Sequence, residues 1–364
     1  MSQPSLRGIS PPGILEAMER LFSVRLGEFT TTVVRSSLDE VFSGFEDKDV
    51  LLVTDEHVAA LLPPTLRYPQ VILPPGEQGK RWESVERILE EGFSRGFGRD
   101  AAFLGVGGGA VTDVTAFAAS LYMRGIEVVL VPTTLLAMVD AALGGKTGID
   151  FLSYKNMVGT FYPAREVRLA VPFVASLPER EYRSGLAEVI KSAMLGDERL
   201  FGLLEEERDR ILLREKTLVQ EMVERALRVK ARVVEADFRE GGMRAFLNLG
   251  HTFGHALESV TGFSRFTHGE AVAWGIRCAL DLGRRLGLTD AAYAERITAL
   301  LDAYGYPSTV GGGISPPALL EAMRMDKKKQ RGKIRCVVQR GMGDTLLVDP
   351  EETLLTDVVK QFVE

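Results

Sequence analysis

Hydrophobic and polar positions follow two regimes along the chain. In the first half, short apolar or β-branched runs alternate with stretches of helical period. TTTVVRS (30–36), DVLLVTD (49–55), PQVILPP (69–75), AAFLGVG (101–107) and IEVVLVPTT (126–134) have the length and composition of strands. Between them, WESVERILEEGFSRG (82–96) sets Val85, Ile88, Leu89 and Phe93 at helical spacing. Strands that are apolar throughout, alternating with helices, predict a parallel sheet covered on both faces. After about residue 175 the pattern changes. SLPEREYRSGLAEVIKSAML opens a helical region, and 212–236, 249–262, 270–286 and 289–303 carry the helical period, with little strand pattern before IRCVVQ (334–339). The expected architecture is an α/β N-terminal domain over 1–174 with a Rossmann-like parallel sheet, then a mostly α-helical C-terminal domain over 175–364. No repeat or low-complexity linker separates them, so close packing is expected, with a small-molecule site in the cleft.

Composition narrows the class. A length of 364 residues favours two domains over one. With 45% hydrophobic and 26% charged residues, disorder and collagen-like architecture are excluded. No apolar run approaches the ~18 residues of a membrane span. MSQPSLRGISPPG lacks a basic-then-apolar pattern, so no secretory leader is expected. A net charge of −6 argues against general nucleic-acid binding. It leaves room for an anionic substrate in a local basic pocket. Cys278 and Cys336 sit in apolar runs outside any CxxC pair, which points to a reducing cytoplasm rather than a disulfide scaffold.

Three segments carry candidate chemistry. FLGVGGGAVTDVTAFAAS runs from a strand through glycines into a helix, and Gly105, Gly107 and Ala110 fit G-x-G-x-x-A. Such a turn brings backbone close to a pyrophosphate at a helix N-terminus. A tight turn that binds nothing is the plain alternative. Asp55, at the end of an apolar strand, is placed to accept from a ribose diol, or simply caps a turn. PPGEQGK (74–80) adds Glu77 and Lys80. Gly144-Gly145-Lys146-Thr147 resembles the end of a P-loop, but position 140 is Asp where G-x-x-x-x-G-K-[ST] needs Gly. Lys146, with Lys155 and Asn156 nearby, remains a candidate anion ligand, against the alternative of solvated side chains. Of the four histidines, His251, His255 and His268 fall within 18 residues, while His57 stands apart. His251 and His255 share a helix face, a spacing that suits a metal pair. The intervening TFG carries no zincin glutamate. A third ligand is His268 or a carboxylate, and Glu188 in GLAEVIK is the best acid, because an acid on an apolar face needs a partner.

Taken together, GGGAVTDVTAFAASLYMRG, PTTLLAMVDAALGGKTG, YKNMVGTFY, LPEREYRSGLAEVIK, LNLGHTFGHALE, HGEAV and MDKKKQRGKIR resemble the dehydroquinate synthase family of sugar-phosphate cyclases, from about Asp55 to about Arg340. The resemblance implies a nucleotide-binding α/β domain and a helical metal-binding domain. It implies a zinc or cobalt ion on Glu188, His251 and His268, with His255 catalytic rather than a ligand. It implies NAD near Asp55, Glu77, Lys80, Gly107, Gly108, Gly109, Asp113, Thr133, Thr134 and Lys155. Catalytic or substrate contact is implied for Arg124, Asp140, Lys146, Asn156, Lys191, Lys230, Glu240, Arg244, Asn248 and one of Lys327 or Lys328, with Arg124 reaching across a homodimer. Thr112, Asp150 and His57 depart from the commonest family residues.

The implied substrate is 3-deoxy-D-arabino-heptulosonate 7-phosphate, whose carboxylate and phosphate match the cationic set. The implied sequence is oxidation at C5 with NAD⁺, β-elimination of phosphate, re-reduction, ring opening and an intramolecular aldol closure, with NAD⁺ regenerated. No nucleic-acid or membrane partner is expected. Three rivals stand beside this reading: a cyclase making an inosose or valiolone, a metal-dependent polyol or glycerol-phosphate dehydrogenase, and a non-catalytic nucleotide-binding protein.

Overall fold

The computed structural model describes residues 18–152, 154–328 and 334–363, without the side chains of 326–328. Two compact units divide the chain, Met1–Pro178 and Glu179–Glu364. Among the described residues, no helix is long and apolar enough to cross a membrane.

The strands of the first unit are β1 (Glu19–Leu26), β2 (Phe29–Arg35), β3 (Val50–Asp55), β4 (Gln70–Leu73), β5 (Ala102–Gly107), β6 (Glu127–Pro132), β7 (Lys146–Phe151), β8 (Tyr154–Phe161) and β9 (Glu166–Leu169). Helices α1 (Glu56–Ala59), α2 (Trp82–Ser94) and α3 (Gly109–Leu121) follow β3, β4 and β5. Seven strands form one sheet in the order β1-β2-β9-β6-β5-β3-β4. Every pairing from β2 to β4 is parallel. All six residues of β3 and of β5 are buried, which is why those runs are apolar throughout. Along α2, Val85 and Ile88 are buried as the spacing predicts, but Phe93 is 55% exposed and lies against the Tyr122 ring.

The sheet departs from an all-parallel reading at its edge, where β1 pairs antiparallel with β2 through a tight turn. Polar Arg20, Ser23 and Arg25 mask the strand pattern of β1. The hairpin of β7 and β8 also escapes a pattern-based reading. No residue of β8 is buried, so it has no apolar alternation to reveal it.

Helices dominate the second unit: α4 (Glu179–Met194), α5 (Glu198–Glu206), α6 (Arg208–Leu212), α7 (Lys216–Ala236), α8 (His251–Val260), α9 (His268–Arg285), α10 (Ala291–Ala303), α11 (Pro316–Lys328) and α12 (Glu352–Gln361). A hairpin of β10 (Cys336–Gly341) and β11 (Asp344–Val348) completes it. The helical stretch expected over 212–236 is broken before Lys216, where Arg214 takes a left-handed backbone (φ 60°).

Helix α9 is the centre of this unit. It is buried from Gly269 to Gly283 except at Glu270 and Asp281, and it packs on α4, α8, α10, α12 and β10. Small residues set the approach. A Cβ on Gly275 would lie 2.0 Å from the Gly250 carbonyl oxygen, and one on Gly269 would lie 2.1 Å from that of Ser184. Thr267 and Glu270 form a reciprocal capping box that fixes where α9 begins. The Gly269 N–H donates to Ser184 Oγ at 3.0 Å, tying that start to α4.

Gly269→Ala should therefore destabilise the protein by about 1–3 kcal/mol, since the new methyl meets backbone that must shift. Gly202→Ala, in α5 with nothing within 4 Å of the added Cβ, serves as the control and should lose nothing. Denaturant unfolding of both variants checks the difference.

Candidate active site

In the first unit, chain order reverses between β3 and β5. From β3 the chain moves outward to β4, then crosses back to β5 on the other side of β3. Open α/β sheets bind ligands at such a switch point, beyond the carboxyl ends of the strands. Asp55 ends β3, and the Gly107-Gly108-Gly109 turn ends β5. A Cβ on Gly107 would lie 2.6 Å from the Val111 side chain and one on Gly105 2.9 Å from Thr115 Oγ1, so these glycines let α3 sit directly on its own strand. Gly108 caps α3, which begins at the strand end. The Thr133 N–H donates to the Gly107 carbonyl at 2.9 Å, and Thr134 Oγ1 accepts from the Ala137 N–H at 3.1 Å. The Asp55 carboxylate accepts from the Val58 N–H at 2.9 Å, which makes it a helix cap in this structure.

Charged residues gather beside this turn. Buried Lys80 places Nζ 2.6 Å from Asp113 Oδ2. Burial alone would lower the Lys80 pKa, but Asp113 and Glu77 outweigh it and hold the ammonium above its ordinary range. Lys155 Nζ lies 3.4 Å from Glu77. Asp150 accepts from the Asn156 N–H at 2.8 Å and steadies that residue in a left-handed backbone (φ 57°). Burial, with Glu77 nearby, pushes the Asp150 carboxyl upward. Asp140 sits in a π-turn over Ala137–Ala141, and Lys146 is exposed at the start of β7. Arg124 is exposed just after α3, in a left-handed pair with Met123 (φ 69° and 49°). His57 is exposed in α1.

In the second unit, α4, α8 and α9 bring Glu188, Lys191, His251, His255 and His268 together. Glu188 and Lys191 are 1% and 2% exposed and pair one helical turn apart. Glu188 Oε1 lies 3.4 Å from His268 Nε2 and 3.8 Å from His251 Nε2, yet makes no hydrogen bond among the described residues. These three atoms lie within 4.8 Å of one another. Burial would raise the Glu188 carboxyl, but Lys191 and His268 hold it well below the carboxylate range. Burial and the neighbouring Lys191 charge hold the His251 imidazole well below its ordinary range. His268 is also buried, but Glu188 and Glu258 on its two ring nitrogens push it up to about 10.

The rest of the predicted set lies on α7 and the segment after it. Lys230 is buried on α7. Arg244 is buried, its guanidinium donating to the Phe238 carbonyl. Glu240 has a left-handed backbone (φ 61°), and Asn248 Nδ2 stands 3.5 Å from its carboxylate. The side chains of Lys327 and Lys328 lie outside the described residues.

Three groups here were not anticipated from sequence. Glu258 Oε1 lies 3.4 Å from His268 Nδ1, and the Leu249 carbonyl lies 3.2 Å from His251 Nδ1. Asp237 accepts from the backbone N–H groups of Gly241, Gly242 and Arg244 at 2.7–2.9 Å, shaping the segment that holds Glu240 and Arg244. Glu258 had a readable signal: it is an acid at i+7 from His251 on the same helix face. Asp237 resembled any loop aspartate.

Comparisons with known proteins follow the same division. The family model "3-dehydroquinate synthase N-terminal" matches residues 70–184, and "3-dehydroquinate synthase C-terminal" matches 185–329. A 3-dehydroquinate synthase of Acidithiobacillus ferrooxidans is 42% identical over 325 residues, covering 86% of this chain and 89% of that protein. One of Solibacter usitatus is 43% identical over 289 residues, covering 79% and 81%. Among solved structures, 2-epi-5-epi-valiolone synthase of Streptomyces hygroscopicus with NAD⁺ and Zn²⁺ bound is 26% identical, with a TM-score of 0.81 over 94% of this chain and 98% of that one. A 2-deoxy-scyllo-inosose synthase complexed with carbaglucose-6-phosphate, NAD⁺ and Co²⁺ shares the fold, with a TM-score of 0.82 at 23% identity over 94% and 99%.

Proposed function

The chain belongs to the 3-dehydroquinate synthase family, and from that premise we propose how its residues divide the family reaction, the conversion of 3-deoxy-D-arabino-heptulosonate 7-phosphate to 3-dehydroquinate and phosphate. The observation that carries the reading is the buried Glu188 oxygen that no hydrogen bond among the described residues satisfies, facing two imidazole Nε2 atoms. One carboxylate and two imidazoles, each imidazole with its Nδ1 facing an oxygen, are a donor set that fits a divalent cation with a position left open. A zinc or cobalt ion held by Glu188, His251 and His268 supplies Lewis acidity toward a hydroxyl or carbonyl, and NAD held at the switch point supplies a reversible hydride acceptor. Structurally similar cyclases with NAD⁺ and Zn²⁺ or Co²⁺ support both assignments.

The chain's own groups take the remaining tasks. Asp55, Glu77, Lys80, Gly107, Gly108, Gly109, Asp113, Thr133, Thr134 and Lys155 bind the dinucleotide, with the α3 N-terminus toward its pyrophosphate. His255 relays the hydroxyl proton during oxidation and its reversal. Lys146, Asn156, Lys230, Arg244, Asn248 and one of Lys327 or Lys328 hold the carboxylate and phosphate ends. Asp140, Lys191 and Glu240 orient the hydroxyls. The departing phosphate takes the adjacent carbon-bound proton, so the elimination needs no dedicated base. We place the enzyme in the cytoplasm, consistent with two buried free cysteines, and assign it a homodimer with Arg124 acting across the interface.

Product analysis tests the activity. With the heptulosonate phosphate and catalytic NAD⁺, free phosphate and dehydroquinate should form without net NADH. Chelator should stop turnover and Zn²⁺ or Co²⁺ restore it. Net NADH would indicate a dehydrogenase instead, and turnover of a hexose or heptulose phosphate in place of this substrate would indicate an inosose- or valiolone-forming cyclase.

Lys146→Ala should lower kcat/KM by about 30- to 1000-fold, the effect of removing a charge-assisted contact of roughly 2–4 kcal/mol. NAD affinity should change little. Loss of NAD binding with metal content intact would move Lys146 to the cofactor site.

Arg124→Ala and Lys146→Ala should each be nearly inactive alone. Mixed after reversible dissociation, they should regain activity, because one site of each heterodimer then has both groups. Absence of recovery, or a monomer by sedimentation, would place Arg124 in its own subunit's site.

A further inference from the structure

We propose that Glu258 is a positioning residue for the cation site: its carboxylate holds the Nδ1 side of His268 and commits Nε2 of that ring to the ion. The inference rests on the reading of Glu188, His251 and His268 as ligands.

Glu258 is costly where it stands. It is 8% exposed, so its carboxylate has lost most of its water. It also lies near the C-terminal end of α8 (His251–Val260), where the helix carbonyls disfavour negative charge. An apolar residue would serve packing better at that position. What the carboxylate reaches is a ring on another helix, with Oε1 3.4 Å from His268 Nδ1.

Neutral imidazole carries one proton, and the acceptor facing one nitrogen decides where it sits. Glu258 draws it to Nδ1, so that a cation displacing the second proton meets the Nε2 lone pair, 3.4 Å from Glu188 Oε1. His251 reaches the same state differently, through the Leu249 backbone carbonyl at 3.2 Å from its Nδ1. That acceptor belongs to the chain leading into its own helix, so His251 orientation is built into the backbone. His268 is the first residue of α9, and its capping box fixes the helix start but not the ring. The ring is held from α8, across the helix–helix contact, by Glu258. A carboxylate there also makes Nε2 a stronger donor than a carbonyl would. Candidate donor atoms of His255, Glu258 and His268 lie within 4.8 Å of one another, so the same carboxylate is near both a ligand and the proposed proton relay.

The competing explanation is a plain ion pair between Glu258 and a doubly protonated His268. The two differ in sign. If Glu258 positions a ligand, neutralising it weakens the cation. If it only stabilises an imidazolium, neutralising it frees Nε2 and strengthens the cation.

The test uses the full chain stripped with chelator. Zn²⁺ affinity is measured by competition with a chromophoric chelator for the wild type, Glu258→Gln and Glu258→Asp, and the visible spectrum of each Co²⁺ form is recorded. Glu258→Gln should bind Zn²⁺ about 10- to 100-fold more weakly, with an altered Co²⁺ band. Glu258→Asp should recover part of the loss. The metal-free Glu258→Gln chain should keep the wild-type far-ultraviolet circular dichroism, which separates positioning from loss of the fold. Equal or tighter Zn²⁺ binding by Glu258→Gln with an unchanged Co²⁺ spectrum overturns the proposal. If Glu258→Gln fails to fold, a folded Glu258→Asp with wild-type affinity and spectrum overturns it equally. A wild-type chain that binds neither ion overturns the ligand reading itself, and this inference with it.

Discussion

The second unit is organised around one buried carboxylate. Glu188 is 1% exposed, and a lone carboxylate at that depth would neutralise or expel itself. Lys191 answers its charge from the next turn of α4, leaving Oε1 turned toward two imidazoles. Everything around it follows from keeping those groups together. The capping box and Gly269 decide where α9 starts against α4, and Gly275 lets α9 approach α8 where His251 begins. A displacement by even one residue would turn a ring away and strand the charge.

The first unit meets a different constraint, the placement of cations beside a glycine-rich strand end. Lys80 is buried, so it must be paired, and Asp113 in the second turn of α3 supplies the partner. That pair ties the segment after β4 to the helix after β5, the two connections that flank the switch point. The β7–β8 hairpin adds Lys155 and Asn156 to the same neighbourhood through Glu77 and Asp150.

Much of this was legible from residue patterns. The five apolar runs of the first half became β2, β3, β4, β5 and β6; β3, β5 and β6 are covered on both faces, which leaves little room for polar residues, while β4 alternates buried and exposed positions at the sheet edge. The histidines could be suspected because imidazoles concentrated in an apolar stretch need an explanation. Glu188 stood out as an acid in an apolar helix. Where the pattern was silent, the elements were ones whose side chains face solvent. β8 belongs to an exposed hairpin, so burial imposed no alternation on it, and β1, at the sheet edge, buries only Val24 and Leu26. The break before α7 depends on one left-handed residue, Arg214, whose type does not signal it.

By itself the sequence determined the class of each half, the identity of the acid and imidazoles, and the glycines that permit close approach. Those features are local: they follow from apolar period, strand length and the misfit of a polar residue among apolar neighbours. Only the tertiary structure decided which nitrogen of each ring faces which oxygen, that Glu258 rather than solvent meets His268, and that Asp55 caps a helix while Lys80 is locked to Asp113. These are contacts between elements distant in the chain. They depend on helix crossings and strand order to within a fraction of an ångström, and no one-dimensional pattern carries distances of that kind.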